Sequence, residues 1–176
     1  MRLELTSPSP EFEDDFMSMV AEFQSIGEHR FVHEDVLMDE GFAAYLDWLD
    51  LGRQGKVPKL CPWSAFWARE RTSQDFVGMC SIRHSLTPWM QEYGGHIGFR
   101  VRPSKRRDGY GTELLSLALG VAADLGIDKA LILAEIDNPG SIGVIKKNGG
   151  VFERKVTTDG LTLNRYWTRT NDGNCS

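Results

Sequence analysis

The sequence contains only three cysteines, and their spacing argues against two classes of protein. Cys61, Cys80 and Cys175 are far apart and odd in number. They form no pair with the spacing of metal ligands, and they do not indicate a disulfide framework. We therefore expect a reduced, cytoplasmic setting. Cys80 lies in an alternating strand pattern, so we expect its thiol to be buried and inert.

Long apolar runs and an excess of positive charge are also missing. No apolar run approaches the length that spans a bilayer, and the N-terminus lacks the long apolar segment of a signal peptide. We therefore expect no membrane partner. The net charge of −5 argues against general nucleic-acid binding, so we expect no nucleic-acid partner either.

The length and the hydrophobic content fit a single domain. A chain of 176 residues with 41% hydrophobic residues can bury a sizeable core. We assign this domain to residues 1–170. Residues 171–176 are polar, and we expect them to form a flexible tail.

Helix-like and strand-like patterns alternate along the chain. The clearest helix covers residues 111–126, where apolar residues fall on one face, and residues 130–136 are an apolar run typical of a buried strand. With the strand at residues 95–102 they form a β-α-β unit, which predicts a parallel strand pair. The remaining strands pair as hairpins. We therefore predict an α/β fold: a mixed, mostly antiparallel sheet with one parallel pair, flanked by helices. Further helices are expected near residues 11–23, 39–51 and 139–147, the last capped by Asn138, with strands near residues 3–5, 63–70, 75–84, 151–156 and 161–168, and a loop or helical turn at residues 85–94.

A basic turn with two glycines connects the strand at residues 95–102 to the clearest helix. Five of the eight residues from 100 to 107 are basic, although the net charge of the chain is −5. Gly109 and Gly111 can adopt backbone angles closed to other residues, and they allow a phosphate to approach closely. The N-terminus of the helix adds partial positive charge. These features predict a site for a small polyanion, with a plain structural connection as the alternative.

Several other active-site patterns do not occur in the sequence. We find no serine or cysteine placed beside a base with a third orienting group, so no enzyme nucleophile is indicated. The sequence also lacks a P-loop Gly-Lys-Ser/Thr, and it lacks an acidic residue about 20 residues after a G-x-G-x-x-G motif. A nucleotide-phosphate binder of another α/β fold is therefore the weaker interpretation.

Two motifs lie at the starts of the helices that follow the predicted parallel strands. Arg106-Arg107-Asp108-Gly109-Tyr110-Gly111 matches the pattern R/Q-x-x-G-x-G/A. Asn138-Pro139-Gly140-Ser141, followed by Lys147 and Gly149, resembles the pattern N-x-x-A/S…K-x-G. Both patterns resemble those of the GNAT superfamily of acyl-CoA-dependent N-acetyltransferases. The motifs cover roughly residues 95–151, and the element order of the whole chain agrees with that family.

The resemblance implies an N-acetyltransferase that uses acetyl-CoA as co-substrate, needs no metal and has a splayed parallel strand pair. It also implies direct transfer of the acetyl group to a primary amine of a small molecule or a peptide. In this family the loop amides hold the pyrophosphate, while the strand edge and the second motif contact the pantetheine arm. Lys105 is a further candidate for pairing with a phosphate. The predicted coenzyme-binding residues are Phe99, Arg100, Val101, Arg106, Arg107, Asp108, Gly109, Tyr110, Gly111, Thr112, Asn138, Ser141 and Lys147.

The residues that transfer protons are less clear from the resemblance. Many members carry a tyrosine as general acid four residues after the Ala/Ser of the second motif, and this position is Ile145 here. A glutamate on the strand before the loop often acts as base, and the aligned residue is His96. The alternative interpretation is that His96 only packs on the sheet and forms hydrogen bonds. Glu135 on the next strand is a second candidate base, with an outward-facing charge as its alternative.

Three properties stay open at this point. The missing tyrosine leaves a non-catalytic acyl-CoA-binding or regulatory module on the same fold as the alternative function. Arg165-Tyr166-Trp167 in the last strand either line the acceptor pocket or pack within the sheet. The oligomeric state is not decided, and a homodimer is one option.

Overall fold

The computed structural model describes residues 1–28 and 34–170. The predicted tail at residues 171–176, which includes Cys175, lies outside the described residues. The strands are β1 (Leu3–Thr6), β2 (Trp63–Glu70), β3 (Phe76–Arg83), β4 (Ile97–Val101), β5 (Lys129–Glu135), β6 (Val151–Thr158) and β7 (Leu161–Arg169). The helices are α1 (Glu13–Ser25), α2 (Glu34–Glu40), α3 (Phe42–Arg53), α4 (Pro88–Tyr93), α5 (Tyr110–Asp124) and α6 (Pro139–Lys147).

The strands form two antiparallel sheets. The first has the order β1-β2-β3-β4, and the second has the order β5-β7-β6. The sheets meet where β4 and β5 begin, because the main-chain N–H of His96 donates to the carbonyl of Leu131 at 2.7 Å. Helices pack on both sheets, so the predicted α/β fold with mostly antiparallel strands is confirmed. The contact between β4 and β5 is limited to their first residues, and beyond it the two strands separate around a cleft.

Helix α5 lies at the centre of the main core. Leu114, Leu115 and Leu119 are fully buried among side chains of both sheets. Burying one such side chain contributes about 1.5–3 kcal/mol to the hydrophobic free energy of folding, so this apolar face holds the start of α5 firmly beside β4. Cys80 lies in the same core, and burial raises the pKa of its thiol to about 12, which agrees with the inert role predicted for it.

A second, aromatic core holds α1 and α3 against the first sheet. The ring of Phe16 stacks on Trp67, with the centroids 4.5 Å apart, and also on Tyr45 at 5.6 Å. This packing places α1 beside the basic turn that follows β4. Glu22 of α1 forms an ion pair there with Arg102, with 2.6 Å between Oε1 and Nε.

Two of the helices are short, and the sequence pattern did not define them. α4 lies in the segment expected to be a loop or a helical turn, and its six residues are too few to show an apolar period. The hydroxyl of Thr87 caps α4 by accepting a hydrogen bond from the main-chain N–H of Met90 at 3.2 Å. α2 lies in an acidic segment without a clear period. No helix among the described residues has both the length and the apolar character that crossing a bilayer requires.

Candidate functional site

A cleft of about 1410 Å³ opens where β4 and β5 separate. The last residues of both strands form its walls, together with the start of α5 and with α6. The end of α4, residues 27 and 28 after α1, and the start of β7 also line it. Sites for drug-sized ligands are typically about 300–1,000 Å³. The cleft therefore has room for a large ligand and a second, smaller one.

The vertex of the cleft is the contact between His96 and Leu131. The main-chain N–H of His96 donates to the Leu131 carbonyl at 2.7 Å, and the main-chain N–H of Leu131 donates to Nδ1 of the His96 ring at 3.0 Å. Gly95 has a φ of +71°, and a Cβ at this position would lie 2.6 Å from the Leu131 carbonyl oxygen. The close approach of the two strands therefore requires glycine.

The start of α5 presents main-chain amides to the cleft. Gly109 precedes the helix with a φ of 81°, in the left-handed region. A Cβ on Gly111 would lie 3.1 Å from Val144 and 3.4 Å from Val101, so the missing side chain lets β4, α5 and α6 approach one another. The first amides of a helix have no acceptor within the helix, and they carry partial positive charge. This arrangement has the physical properties of an anion-binding site.

Arg106 connects the loop before α5 to the end of α1. Its guanidinium donates two hydrogen bonds to the carboxylate of Glu28, at 2.7 and 2.8 Å, and its Nε donates to the Val101 carbonyl at 3.0 Å. The hydrogen bonds from Arg106 lower the pKa of Glu28, so this side chain stays ionised at neutral pH. Much of the charge of Arg106 is therefore neutralised inside the protein.

The other basic residues of the turn differ in their surroundings. Lys105 forms an ion pair with Asp75, with 2.7 Å between Nζ and Oδ2, and it does not line the cleft. Arg107 and Lys147 do line the cleft. Within the part of the chain that the structure describes, no carboxylate lies within salt-bridge distance of Arg107. Arg100 also lines the cleft and forms an ion pair with Glu28 at 3.6 Å. A phosphate in the cleft would therefore meet Arg107 and Lys147 beside the paired Arg100 and Arg106.

Most of the predicted coenzyme-binding residues lie together in the cleft. Eleven of the thirteen line it, and the exceptions are Asp108 and Tyr110. Asp108 forms an ion pair with Arg2 at 3.1 Å. Tyr110 is buried, and its hydroxyl donates to Glu70 at 2.8 Å while the guanidinium of Arg2 lies 4.1 Å above its ring. These two side chains therefore fasten the loop to neighbouring strands. The eleven lining residues are Phe99, Arg100, Val101, Arg106, Arg107, Gly109, Gly111, Thr112, Asn138, Ser141 and Lys147.

The second motif forms the start of α6. The side chain of Asn138 accepts a hydrogen bond from the main-chain N–H of Ser141 at 2.9 Å, so the predicted cap is confirmed. Ile145, which occupies the position where many GNAT members carry a tyrosine, is fully buried and does not line the cleft. No proton donor is therefore present at this position.

The two candidate bases differ in their access to the cleft. Glu135 is exposed at the end of β5 and lines the cleft. His96 is not among the lining residues. Burial lowers the pKa of the His96 imidazole, and the positive charge of Arg83 lowers it further. The structure therefore brings Glu135, and not the side chain of His96, into the space where a substrate would bind.

The cleft is also lined by residues that the sequence did not single out, among them Tyr93 and Glu28. Tyr93 ends α4, and Glu28 follows α1. Neither belongs to a motif or to a periodic pattern, so no signal in the sequence could have identified them. Tyr93 contributes a phenol and Glu28 a carboxylate to the lining of the cleft.

Two arginines from different sheets hold the C-terminal end of α4. Arg165 of β7 donates to the main-chain carbonyls of Gln91 and Glu92, and Arg83 of β3 donates to that of Gly95 at 2.9 Å. Arg165 is only 3% exposed. None of Arg165, Tyr166 and Trp167 lines the cleft, so the packing interpretation of this segment is the one that the structure supports.

Comparisons with known proteins agree with this geometry. A model of the acetyltransferase (GNAT) domain matches residues 2–151. No curated protein matches the chain.

Solved structures with the same fold include acetyltransferases with different acceptors. RimL, a ribosomal-protein alpha-N-acetyltransferase in complex with coenzyme A, is 16% identical over 99% of this chain and 97% of its own, with a TM-score of 0.71. The microcin C7 self-immunity acetyltransferase MccE, in complex with acetyl-CoA and AMP, is 12% identical over 96% of this chain and 92% of its own, with a TM-score of 0.71. A spermidine N-acetyltransferase SpeG chimera from Vibrio cholerae and hSSAT is 12% identical over 97% of both chains, with a TM-score of 0.63. At these identities the similarity establishes the fold.

Proposed function

Because the chain belongs to the GNAT acetyltransferases, we propose that it transfers the acetyl group of acetyl-CoA directly to a primary amine, in a ternary complex. The observation that carries this proposal is the start of α5, whose amides open onto the cleft between β4 and β5. Helix amides at this point suit the pyrophosphate of the coenzyme. Arg107 and Lys147 add positive charge from the two sides of the cleft.

The pantetheine arm would lie along the edge of β4 that faces the cleft, where the Val101 carbonyl already accepts from Nε of Arg106. This edge faces the cleft at Phe99 and Val101, where β5 no longer pairs with it. Main-chain N–H and C=O groups on such an edge bind an extended amide chain as an added strand would. The thioester then lies toward the vertex, between the ends of β4 and β5.

The reaction needs proximity, polarisation of the carbonyl and removal of one proton. The amine nitrogen attacks the thioester carbon, and a main-chain N–H of β4 stabilises the negative charge that develops on the oxygen. The carbon–sulfur bond then breaks, and its electron pair leaves with the sulfur of coenzyme A. The amine loses one proton, for which Glu135 is the proposed acceptor because it lies in the cleft. The thiolate is a good leaving group, so the reaction proceeds without a tyrosine at position 145.

The first test of this proposal measures thiol release from acetyl-CoA with a panel of amines. The panel contains a polyamine, free amino acids, an aminoglycoside and a peptide with a free N-terminus. We expect coenzyme A to bind to the protein and at least one amine to accelerate thiol release. If acetyl-CoA binds and no amine accelerates release, the non-catalytic module becomes the better assignment.

The role of Glu135 is tested with Glu135→Gln, which removes the carboxylate and keeps the shape. We expect the turnover number to fall at least about tenfold, since general-base catalysis typically contributes 10²–10⁴-fold, and we expect the affinity for coenzyme A to stay the same. Asp137→Asn removes an equal charge from the same edge of the cleft and should lower turnover much less. Equal turnover of Glu135→Gln and the wild type would exclude Glu135 as the base.

A further inference from the structure

The main-chain N–H of Leu131 depends on a side chain for its hydrogen bond. Leu131 is fully buried, and a buried N–H group needs an acceptor. The carbonyl of His96 points to the other neighbouring strand, where it accepts from the main-chain N–H of Arg83 at 2.8 Å. The imidazole of His96 supplies the acceptor, and Nδ1 accepts from the main-chain N–H of Leu131 at 3.0 Å.

This hydrogen bond determines which ring nitrogen of His96 carries the proton. Nδ1 must offer its lone pair to the Leu131 N–H, so the proton is on Nε2. Adding a proton to Nδ1 would bring two donors together. The Arg83 guanidinium, which donates to the adjacent Gly95 carbonyl at 2.9 Å, disfavours a second positive charge nearby. The lone pair that a catalytic base would use is therefore already engaged.

We propose that His96 is a positioning residue whose ring replaces a main-chain carbonyl and fixes the separation of β4 and β5 at the vertex of the cleft. Of the two interpretations given for His96, this proposal favours the histidine that packs and hydrogen-bonds over the catalytic base. Its importance for catalysis rests on the proposed function, because the separation of the strands affects the reaction only if the cleft holds acetyl-CoA.

The position of this contact explains how one ring influences the whole cleft. Two hydrogen bonds join His96 to Leu131, one from each main-chain N–H. Phe99 and Val101 on one wall, and Leu133 and Glu135 on the other, follow within a few residues. Weakening the vertex changes the angle between the walls, and it moves the edge of β4 away from the groups that face it.

Asparagine and leucine provide a matched pair of substitutions. In His96→Asn, Oδ1 stands as many bonds from the main chain as Nδ1 of histidine and is also an acceptor. Asparagine does not titrate near neutral pH. In His96→Leu, a methyl group of similar position has no lone pair. The two variants have nearly the same shape, so their difference reports the acceptor.

The direct measurement is hydrogen exchange at the Leu131 amide, followed by NMR without coenzyme. We expect exchange in His96→Asn to stay close to the wild type. We expect exchange in His96→Leu to be at least about tenfold faster, because a buried donor without an acceptor is strongly destabilised. The dissociation constant for coenzyme A should rise severalfold in His96→Leu alone. Equal protection of the amide in all three proteins would overturn the proposal.

Two further outcomes separate the proposal from its alternatives. If His96→Asn protects the Leu131 amide but loses turnover with the best amine as fully as His96→Leu, His96 is a base and the positioning role is wrong. If the wild type does not bind coenzyme A, the proposed function fails, while amide exchange still tests the hydrogen bond. Should His96→Leu not fold, the ring nitrogen shifts of the wild type decide, and a proton on Nδ1 would overturn the proposal.

Discussion

The side chain of Arg107 offers a sharp test of how the cleft recognises phosphate. Arg107 lines the cleft at the start of α5, whereas Arg106 and Lys105 are paired with carboxylates of the protein. We therefore expect Arg107→Ala to weaken the binding of coenzyme A. Arg107 has a φ of 67°, and alanine meets the same backbone strain there as arginine. The comparison therefore measures the loss of the guanidinium and not a change in strain.

The expected size of the effect follows from the exposure of this residue. A hydrogen bond to a charged group contributes about 1.5–3 kcal/mol, and the lower end applies because Arg107 is exposed and solvent screens its charge. A loss of about 1.4 kcal/mol raises a dissociation constant about tenfold. Lys105→Ala removes an equal charge two residues away. Its ion pair with Asp75 lies at the surface, so we expect a change of less than about twofold.

Isothermal titration calorimetry with coenzyme A and with pantetheine separates the contribution of the phosphates to binding from that of the pantetheine arm. Pantetheine has no phosphate, so Arg107→Ala should leave its affinity unchanged. The difference between wild type and Arg107→Ala should also shrink as salt is raised, since salt screens exposed charges. Equal losses of coenzyme A affinity in Arg107→Ala and Lys105→Ala would refute this reasoning, because the effect would then be general electrostatics.

Two predictions concern stability. Gly95→Ala should lower both the melting temperature and the affinity for coenzyme A. The Cβ of the alanine would lie 2.6 Å from the Leu131 carbonyl oxygen, at a φ of +71°. If both quantities keep their wild-type values, the account of the vertex is wrong. Arg165→Met should lower the free energy of unfolding in urea by about 2 kcal/mol, since it removes the buried guanidinium that donates to two carbonyls of α4 and to Glu153. Arg154→Ala breaks the exposed ion pair with Glu92 and should lower the free energy of unfolding by less than about 1 kcal/mol. If Arg154→Ala and Arg165→Met lower it equally, the burial of Arg165 is unimportant.

The sequence predicts those parts of the fold that local patterns control. The helix α5 follows from one apolar face, and the loop before it follows from the positions of Gly109 and Gly111. The Asn138 cap of α6 is equally local, because donor and acceptor are three residues apart. Family resemblance then adds the roles of these elements, and the family itself is confirmed.

The sequence does not predict contacts between distant segments. Arg106 and Glu28 are 78 residues apart, and their pairing depends on how the aromatic core orients α1. The contact of Leu131 with the His96 ring depends on the close approach that Gly95 permits. A short apolar or basic run carries no information about such partners. Which basic residues of the turn are paired with carboxylates therefore follows only from the three-dimensional structure.

The attachment of α4 has a consequence for changing the acceptor. Arg165 holds this helix by the main-chain carbonyls of Gln91 and Glu92, and Arg83 holds the carbonyl of Gly95 just after it; these bonds do not depend on the side chain at position 93. Tyr93 can therefore be replaced while the backbone that carries it stays in place. A saturation library at this single position would vary the chemistry of the cleft lining and leave the backbone of α4 intact.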